Sequence, residues 1–381
     1  NASGATLEKT GGAGTAAVSG SATFSNDGTV NANSGTLVLG GSGTDAASGI
    51  YNVGTGATLA FNGARTINAD IVATGTGTVS FGNGGAGMVI AMAGDYNVAS
   101  TGATKTNYTN LSGLGEVNFT GALTNIGGTF DHQGQVAVDF TGASGEATAF
   151  ANLTSMTLNA QRTLTLKSGT LLPSLTSLVK TSSGTADLAD ASVSGLTTFT
   201  LTSGTLTGTG NLALASGGTH SYTAGTLSGA GNLTVNSGAT LAISTAGNKA
   251  LNRPIVNNGT VTFADDPLPG TGSIQNNGLF QILNDFSITP SFTNASGATL
   301  EKTGGTGAAG ATVSSGTFTN AGTVNANSGK LVIGGTGTDT GGVYNVATGA
   351  KLAFGASHTI NSNIAASGAC AAVFGDGGAG M

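Results

Sequence analysis

The chain has 381 residues, of which 67 are glycine, only 7% are charged and none is tryptophan. Glycine, serine, threonine and asparagine are poor in helix interiors, which excludes a helical protein, while 38% hydrophobic residues argue against low-complexity disorder. The net charge of −6, with 11 scattered basic residues, excludes a nucleic-acid-binding surface, and no apolar run reaches the length that spans a bilayer.

Three matching apolar segments in residues 1–88 predict β-strands. They are Leu37–Gly40, Leu59–Phe61 and Val79–Gly82, which recur at a period of about 20–22 residues. Apolar residues in each alternate with small or polar ones, which places two side chains on one face of a strand. A Gly-Thr or Gly-Ala-Thr sequence precedes each segment and is typical of a turn that leads into extended backbone.

Residues 89–200 keep nearly the same period. Val117–Ala122 returns as Val138–Ala143, one period of about 21 residues later. Three further segments follow at nearly the same spacing, namely Leu153–Met156, Leu175–Leu178 and Leu196–Phe199. Only Met88–Asn110 departs from the pattern, and it predicts either a broadened coil or a surface loop.

A nine-residue phrase gives the clearest short repeat. Gly204–Leu212 returns as Gly225–Leu233 after about 21 residues, with changes only at small or polar positions. After Gly238 the period shortens to about 19 residues, as turn residues show at Asn258, Asn277 and Ser296. Self-similarity at a fixed period of this size indicates a solenoid, a propeller or an array.

A second, larger repeat contains the first. Asn1–Gly12 recurs unchanged as Asn294–Gly305, and an offset of 293 or 294 residues holds for the segments that follow. We therefore predict that residues 1–293 are one complete super-repeat and that residues 294–381 begin the next, continuous with the same solenoid. Tandem copies are expected to continue beyond both ends.

A period of about 19–22 residues fits a coil of about three short strands joined by tight turns. Helical repeats need longer periods and helix-forming residues, and leucine-rich repeats need a regular leucine ladder. We therefore predict an all-β fold, a single-stranded parallel β-helix (β-solenoid) with about 19–22 residues per coil and roughly 18 coils.

Two glycine-rich segments are the candidate metal sites. Gly40–Asp45 and Gly334–Asp339 both satisfy the Gly-Gly-x-Gly-x-Asp opening of calcium-binding nonapeptide repeats. Such a site forms only when consecutive nonapeptides stack, and neither segment is followed by a second one. A glycine-rich turn is the preferred interpretation, with Asp45 and Asp339 as the candidate calcium ligands. No other cofactor is predicted.

Two carboxylate pairs are the next candidates for chemistry, Asp187 with Asp190 and Asp265 with Asp266. Sugar-cleaving β-helices place paired acids on one exposed sheet, often beside a basic residue. The basic residue nearest to Asp265 in sequence is Arg253, and no acidic ladder recurs at coil spacing. We interpret both pairs as solvated turns.

The histidines and the cysteine give no catalytic pattern. His132, His220 and His358 are isolated, and none has an acidic or nucleophilic partner at an informative spacing. His132 follows an aspartate, which is typical of a turn. Cys370 aligns with Gly77 of the first copy, as expected for neutral drift. We therefore expect a protein that is not an enzyme and has no catalytic residues.

Threonine rows are a third possibility, because flat Thr-x-Thr arrays bind ice on some β-solenoids. Thr163 with Thr165, and Thr176 with Thr197, are consistent with such rows. The sequence does not sustain the pattern coil after coil, so ice binding is kept as an alternative.

Several phrases carry a family resemblance. Residues 33–40, 229–241 and 257–263 read Asn-Ser-Gly-Thr-Leu-Val-Leu-Gly, Gly-Ala-Gly-Asn-Leu-Thr-Val-Asn-Ser-Gly-Ala-Thr-Leu and Asn-Asn-Gly-Thr-Val-Thr-Phe. They are similar to repeats of bacterial secreted β-helices, namely filamentous haemagglutinin-like exoproteins and autotransporter passenger domains. The resemblance implies a long right-handed β-helix on or outside the cell, used for adhesion or as surface or fibre material.

The sequence therefore predicts a secreted or cell-surface structural or adhesive β-solenoid. Its expected partners are other copies of itself, end-to-end or laterally, and a host-cell or polysaccharide surface. The first alternative is a polysaccharide-binding or polysaccharide-cleaving β-helix, and the second is an ice-binding solenoid. Only five tyrosines and no tryptophan count against the first alternative, because sugar-binding platforms usually use aromatic rings.

Overall fold

The computed structural model describes residues 1–18, 22–82, 88–108, 115–244, 247–314 and 316–375. It is a parallel β-solenoid of about 17 turns with roughly 21 residues per turn, which confirms the predicted fold class. Two compact units are present and are described separately. Unit 1 comprises Asn1–Val193 and Leu206–Gly210, and unit 2 comprises Ser194–Thr205 and Asn211–Met381.

The strands of unit 1 form three parallel sheets, which the coils visit in turn. The first sheet contains Thr6–Lys9, Thr29–Ala32, Ile50–Val53, Asp70–Ala73, Tyr96–Val98 and Leu123–Ile126. The second contains Thr15–Val18, Thr36–Leu39, Thr58–Phe61, Thr78–Phe81, Ala103–Tyr108, Thr129–Gly134, Ser155–Ala160 and Ser177–Lys180. The third contains Gly43–Thr44, Arg65–Ile67, Val89–Met92, Gly115–Phe119, Val136–Asp139, Leu164–Thr165 and Thr185–Asp187.

The strands of unit 2 also pair in parallel, and the long strand Leu212–Tyr222 pairs with both Leu233–Val235 and Thr240–Ile243. One series of paired strands contains Leu233–Val235, Ile255–Asn257, Ser273–Asn276, Ser291–Asn294 and Phe318–Asn320. A second contains Thr240–Ile243, Thr260–Phe263, Leu279–Ile282, Thr299–Lys302, Thr323–Ala326, Val343–Val346 and Asn363–Ala366. Gly225–Leu227 pairs with Lys249–Leu251, and Gly337–Thr338 pairs with His358–Thr359. A third series contains, in order, Ala311–Val313, Lys330–Ile333, Lys351–Phe354 and Ala371–Phe374. Two strands, Val193–Leu201 and Thr205–Thr207, contain residues of both units.

The core consists of apolar columns because like positions of successive coils lie in register. Leu39 is paired with Phe61 and Phe61 with Phe81, and all three side chains are fully buried. The two phenylalanine rings stack with their centroids 5.7 Å apart. Burial of each such side chain stabilises the fold by about 1.5–3 kcal/mol. The apolar segments predicted in residues 1–88 are therefore confirmed as stacked strands.

Glycine sets the tight turn after one strand of each copy. Gly56 has φ +74° and Gly349, its equivalent one super-repeat later, has φ +81°. A residue with a Cβ atom is strained in this left-handed conformation, whereas glycine adopts it readily. The turn lets the chain leave one sheet and enter the next within a few residues.

The structure differs from the sequence expectation in the number of coils. The register pairs Thr78 with Ala103 and Ala103 with Thr129, and both steps are longer than the period read from the sequence. These longer coils reduce the expected 18 coils to about 17. They also identify Met88–Asn110 as a broadened coil, of which Thr109 and Asn110 lie outside the described residues. A single helical turn, Glu146–Ala149, interrupts the β structure.

Strand pairing in unit 2 continues past the super-repeat boundary at residue 293. Asn276 is paired with Asn294, and Leu279 with Thr299, without a break. The division into residues 1–293 and 294–381 stays a prediction from the sequence repeat. Among the described residues, no helix is long and apolar enough to cross a bilayer.

Candidate functional site

Asp45, a candidate calcium ligand, directly follows the short strand Gly43–Thr44 and is buried, with 1% of its surface exposed. Its backbone N–H donates to the carbonyl of Thr66 at 2.9 Å, in the following coil. The N–H of Ala46 donates to the carbonyl of Asn26 at 2.9 Å, in the preceding coil. The segment is therefore more than the turn that we interpreted, because it contains the strand Gly43–Thr44 and is bonded to both neighbouring coils.

Protein donors occupy both carboxylate oxygens of Asp45. Oδ1 accepts from Arg65 Nη2 at 2.8 Å and from the backbone N–H of Asn26 at 2.9 Å. Oδ2 accepts from the Tyr51 hydroxyl at 2.8 Å. The Asp45 and Arg65 side chains are both fully buried. Burial raises the pKa of Tyr51, so the hydroxyl keeps its proton and remains a donor.

The second candidate, Asp339, has the same environment in unit 2. Oδ1 lies 2.8 Å from His358 Nε2 and accepts from the backbone N–H of Asn320 at 3.1 Å. Oδ2 accepts from the Tyr344 hydroxyl at 2.8 Å. Burial, and next the adjacent Asp339 carboxylate, raise the pKa of Tyr344. We call these two groups the acid clusters. The unit 1 cluster contains Asn26, Asp45, Tyr51 and Arg65, and the unit 2 cluster contains Asn320, Asp339, Tyr344 and His358.

Aromatic rings flank the basic member of each acid cluster. In unit 1 the guanidinium carbon lies 5.5 Å from the ring centroids of both Phe24 and Phe61. In unit 2 the imidazole centroid lies 6.0 Å from that of Phe318 and 5.8 Å from that of Phe354. Cation–π attraction adds to the ion pair in unit 1. The two clusters are therefore copies of one site with a different basic side chain.

The calcium assignment of Asp45 and Asp339 stays a prediction. A calcium ion needs six to eight oxygen ligands, whereas the carboxylate oxygens here accept hydrogen bonds from protein groups. Within the part of the chain that the structure describes, no group of three or more His, Cys, Asp or Glu could hold a metal ion. The structure gives both carboxylates a role as buried acceptors.

The interpretation of His358 as an isolated residue is wrong. Its acidic partner, Asp339, lies 19 residues earlier, which is one coil of the solenoid. Residues one coil apart are neighbours in space, so the coil period was the spacing to examine. A second signal was available, because His358 aligns with Arg65 and Asp339 with Asp45 in the two copies.

In the two predicted acid pairs, the carboxylates of Asp187, Asp190 and Asp266 accept hydrogen bonds from backbone N–H groups or a hydroxyl nearby. Asp190 accepts from the Ser168 hydroxyl and the Gly169 N–H, both at 2.7 Å, and these bonds lower its pKa. Asp266 accepts from the Gly247 N–H at 2.6 Å. Asp187 accepts from the N–H of Ala189, and the backbone carbonyl of Asp265 accepts from Lys249 Nζ. These bonds stabilise the turns.

The other two histidines lie in strands. His132 belongs to Thr129–Gly134 rather than to the expected turn, and its ring is buried with Nε2 2.8 Å from the carbonyl of Val136. Burial lowers the pKa of His132 to about 4, so the ring is neutral at physiological pH. His220 Nε2 lies 2.9 Å from the carbonyl of Ala215. Cys370 is a half-buried free thiol.

An outward-facing polar row recurs in both copies. In unit 1 the register aligns Glu8, Asn31 and Asn52 on three successive strands, and Asn52 Nδ2 donates to Asn31 Oδ1 at 2.9 Å. In unit 2 the same residue types align at positions 301, 325 and 345, with the same amide hydrogen bond at 2.9 Å. We call each row an outer amide ladder. Sequence reasoning missed it because asparagine is common in this chain.

The outer amide ladder of unit 2 extends in both directions. On the strand before the ladder, Gln281 is paired with Glu301, and its Nε2 donates to Glu301 Oε1 at 2.8 Å. An open cavity of about 300 Å³ lies at its other end, lined by Asn327, Asn345 and residues 365–367 among others. The ladder and the cavity together extend over several coils.

A hydroxyl row on the second sheet of unit 1 is more regular than the sequence indicated. The register aligns Thr15, Thr36, Thr58, Thr78, Ala103, Thr129, Ser155 and Ser177. In the second copy the positions of Thr36 and Thr58 are occupied by Lys330 and Lys351. The row is therefore not repeated, in contrast to the outer amide ladder.

No protein-family model, no curated protein and no solved structure matches this chain. The function is therefore inferred from the fold and from the surfaces that its two copies share.

Proposed function

We propose that this chain is a secreted or cell-surface structural and adhesive β-solenoid that is not an enzyme. Its super-repeats of about 293 residues would supply length and present the same contact surface once in each copy. Repeated weak contacts sum to strong binding when several engage the same surface. This role agrees with the resemblance to secreted bacterial β-helices.

The observation that carries the proposal is the outer amide ladder. Outward residues of a scaffold are free to vary, and those of the hydroxyl row do vary between the copies. In contrast, the ladder residues Glu8, Asn31 and Asn52 are identical in type to their equivalents in the second copy. The amide hydrogen bond also has the same length in both copies. A surface that recurs once per super-repeat suits multivalent contact.

The proposal is tested with beads coated with the whole chain and passed over host-cell monolayers and polysaccharide films. One variant removes the unit 1 ladder by Asn31→Ala and Asn52→Ala, and a second removes the unit 2 ladder by Asn325→Ala and Asn345→Ala. We expect each variant to lower bead retention by about tenfold, and their combination to lower it further, because avidity multiplies contacts.

A matched control changes outward residues of the hydroxyl row, Thr36→Ala and Thr58→Ala, and should retain beads as the wild type does. Equal retention by all variants on every surface would contradict the adhesive role. Release of reducing ends from a polysaccharide film would favour a cleaving enzyme instead.

The rings of Tyr51, Tyr96, Tyr222 and Tyr344 lie in the interior, so they cannot form a sugar platform.

Ice binding is a second candidate, favoured by the hydroxyl row of unit 1. Thr36, Thr58 and Thr78 lie on adjacent strands in direct register, and successive strands are about 4.8 Å apart. Thermal hysteresis of the purified chain, lost in a Thr58→Leu variant, would support this candidate. Unchanged freezing behaviour would exclude it.

A further inference from the structure

The two acid clusters keep their geometry although the turn beside them differs in length. Five residues, 46–50, separate Asp45 from Tyr51, whereas four residues, 340–343, separate Asp339 from Tyr344. The tyrosine hydroxyl nevertheless lies 2.8 Å from the aspartate Oδ2 in both units. The extra residue is therefore absorbed within the turn.

The backbone around each aspartate is held in the same way. Its N–H donates one coil onward, to the carbonyl of Thr66 or Thr359, at 2.9 Å in both units. The N–H of the next residue donates one coil back, to Asn26 at 2.9 Å or Asn320 at 3.0 Å. The aspartate thus connects three successive coils by backbone and side-chain bonds.

The strand after the turn also starts in the same register. The N–H of Ile50 donates to Gly28 at 2.9 Å, and the N–H of Val343 donates to Gly322 at 2.8 Å. Ala47 and Ser48 of the longer turn are exposed, as is Gly341 of the shorter one. The length difference is confined to exposed positions between two fixed points.

We propose that each acid cluster is a register clamp that lets the adjacent turn change length without shifting the following strand. A slip of one residue in a β-strand moves every side chain to the opposite face. Such a slip would turn Tyr51 outward and Asn52 inward, and it would leave the buried Asp45 without one of its donors. Loss of a donor to a buried charge is costly, so the clamp favours one register.

The test inserts one glycine after Ala47 in the whole chain and measures hydrogen–deuterium exchange in the strand Ile50–Val53. The longer turn should change protection by less than about threefold, because loop-closure entropy grows slowly with length. With Asp45→Ala present, the same insertion should cause a further loss of about tenfold or more, because the bonds to a charged acceptor are gone. A matched insertion after Thr55, in a turn of equal length in both copies, should abolish protection of Thr58–Phe61.

A milder variant keeps the test decisive if Asp45→Ala prevents unit 1 from folding. Tyr51→Phe retains the ion pair of Asp45 with Arg65 and removes only the hydroxyl, and it should also make the insertion after Ala47 more damaging. An insertion cost that is the same in the wild type, Tyr51→Phe and Asp45→Ala would overturn the proposal. So would wild-type chains in which insertions after Ala47 and after Thr55 are equally damaging.

Discussion

Replacing Arg65 by alanine isolates the contribution of the buried ion pair. The guanidinium contacts Asp45 Oδ1 at 2.8 Å, and neither side chain has solvent exposure. Nη2 also donates to the carbonyl of Phe24 at 3.0 Å. In Arg65→Ala the carboxylate keeps the Tyr51 and Asn26 donors but loses its counter-charge in a region that water does not reach.

The expected cost follows from the burial of the pair. Removing one partner of a buried ion pair destabilises a protein by about 3–5 kcal/mol, because an uncompensated charge remains. A difference of about 1.4 kcal/mol is a factor of ten in an equilibrium constant. Arg65→Ala should therefore lower local protection against exchange by about a hundredfold to a few thousandfold.

Hydrogen–deuterium exchange read by mass spectrometry suits this measurement, because solenoids open locally and a single free energy of unfolding does not describe them. The peptides to follow are those around Ile50–Val53 and Arg65–Ile67. The exposed Lys105→Ala serves as control and should change protection by less than about threefold.

A double variant separates the charge from the packing. Asp45→Asn with Arg65→Met removes both charges and should cost less than Arg65→Ala alone, because no unpaired charge is left. A loss of less than about tenfold in Arg65→Ala, or a double variant that is worse than the single one, would refute the reasoning.

Four further predictions concern the core, the backbone, the histidine and the interior asparagines. Phe81→Ala should lower local protection against hydrogen–deuterium exchange by the equivalent of about 3–5 kcal/mol, because the fully buried ring contacts three others. Gly94→Ala should destabilise unit 1, because a Cβ atom there would lie 2.2 Å from a backbone carbonyl, whereas Gly54→Ala meets no atom closer than 3.5 Å and should be tolerated. Asn294→Ala should cost about 1–3 kcal/mol, because it breaks side-chain bonds to the asparagines of both neighbouring coils at 2.8 and 2.9 Å. The pKa of His132 is about 4 in the folded chain, below its ordinary 6.5, so the unfolded chain binds the proton more readily. The stability that the neutral ring gives the fold is therefore complete above about pH 6.5 and is lost as the pH falls towards 4. His132→Gln should flatten that part of the pH–stability curve, and an unchanged curve would contradict the assignment.

The fold could be predicted from the sequence because residues one coil period apart are also the residues that pair in the structure. Leu37, Leu59 and Val79 were placed on matching strands by spacing alone, and the register pairs them directly. The coil count could not be predicted as well, because the steps from Thr78 to Ala103 and from Ala103 to Thr129 exceed the usual period and no shared phrase marks these longer coils.

The candidate sites were harder to predict because they depend on side-chain direction. Asp45 and Asp339 were found by a motif, but the motif gave no indication that their carboxylates turn inward to a basic partner one coil away. Polar residues inside a narrow solenoid, such as His132, have no sequence signature when outward positions carry the same residue types. The outer amide ladder became visible only when the register placed Asn31 beside Asn52.

The central claim is that the repeated surface strengthens adhesion because several copies in one chain bind at once. Chains with one, two and three super-repeats, compared at equal numbers of super-repeats on the bead surface, test it most directly. The proposed function predicts that retention on the bound surface rises more steeply than in proportion to the number of super-repeats in one chain. Retention that depends only on the total number of super-repeats, however they are linked, would contradict it.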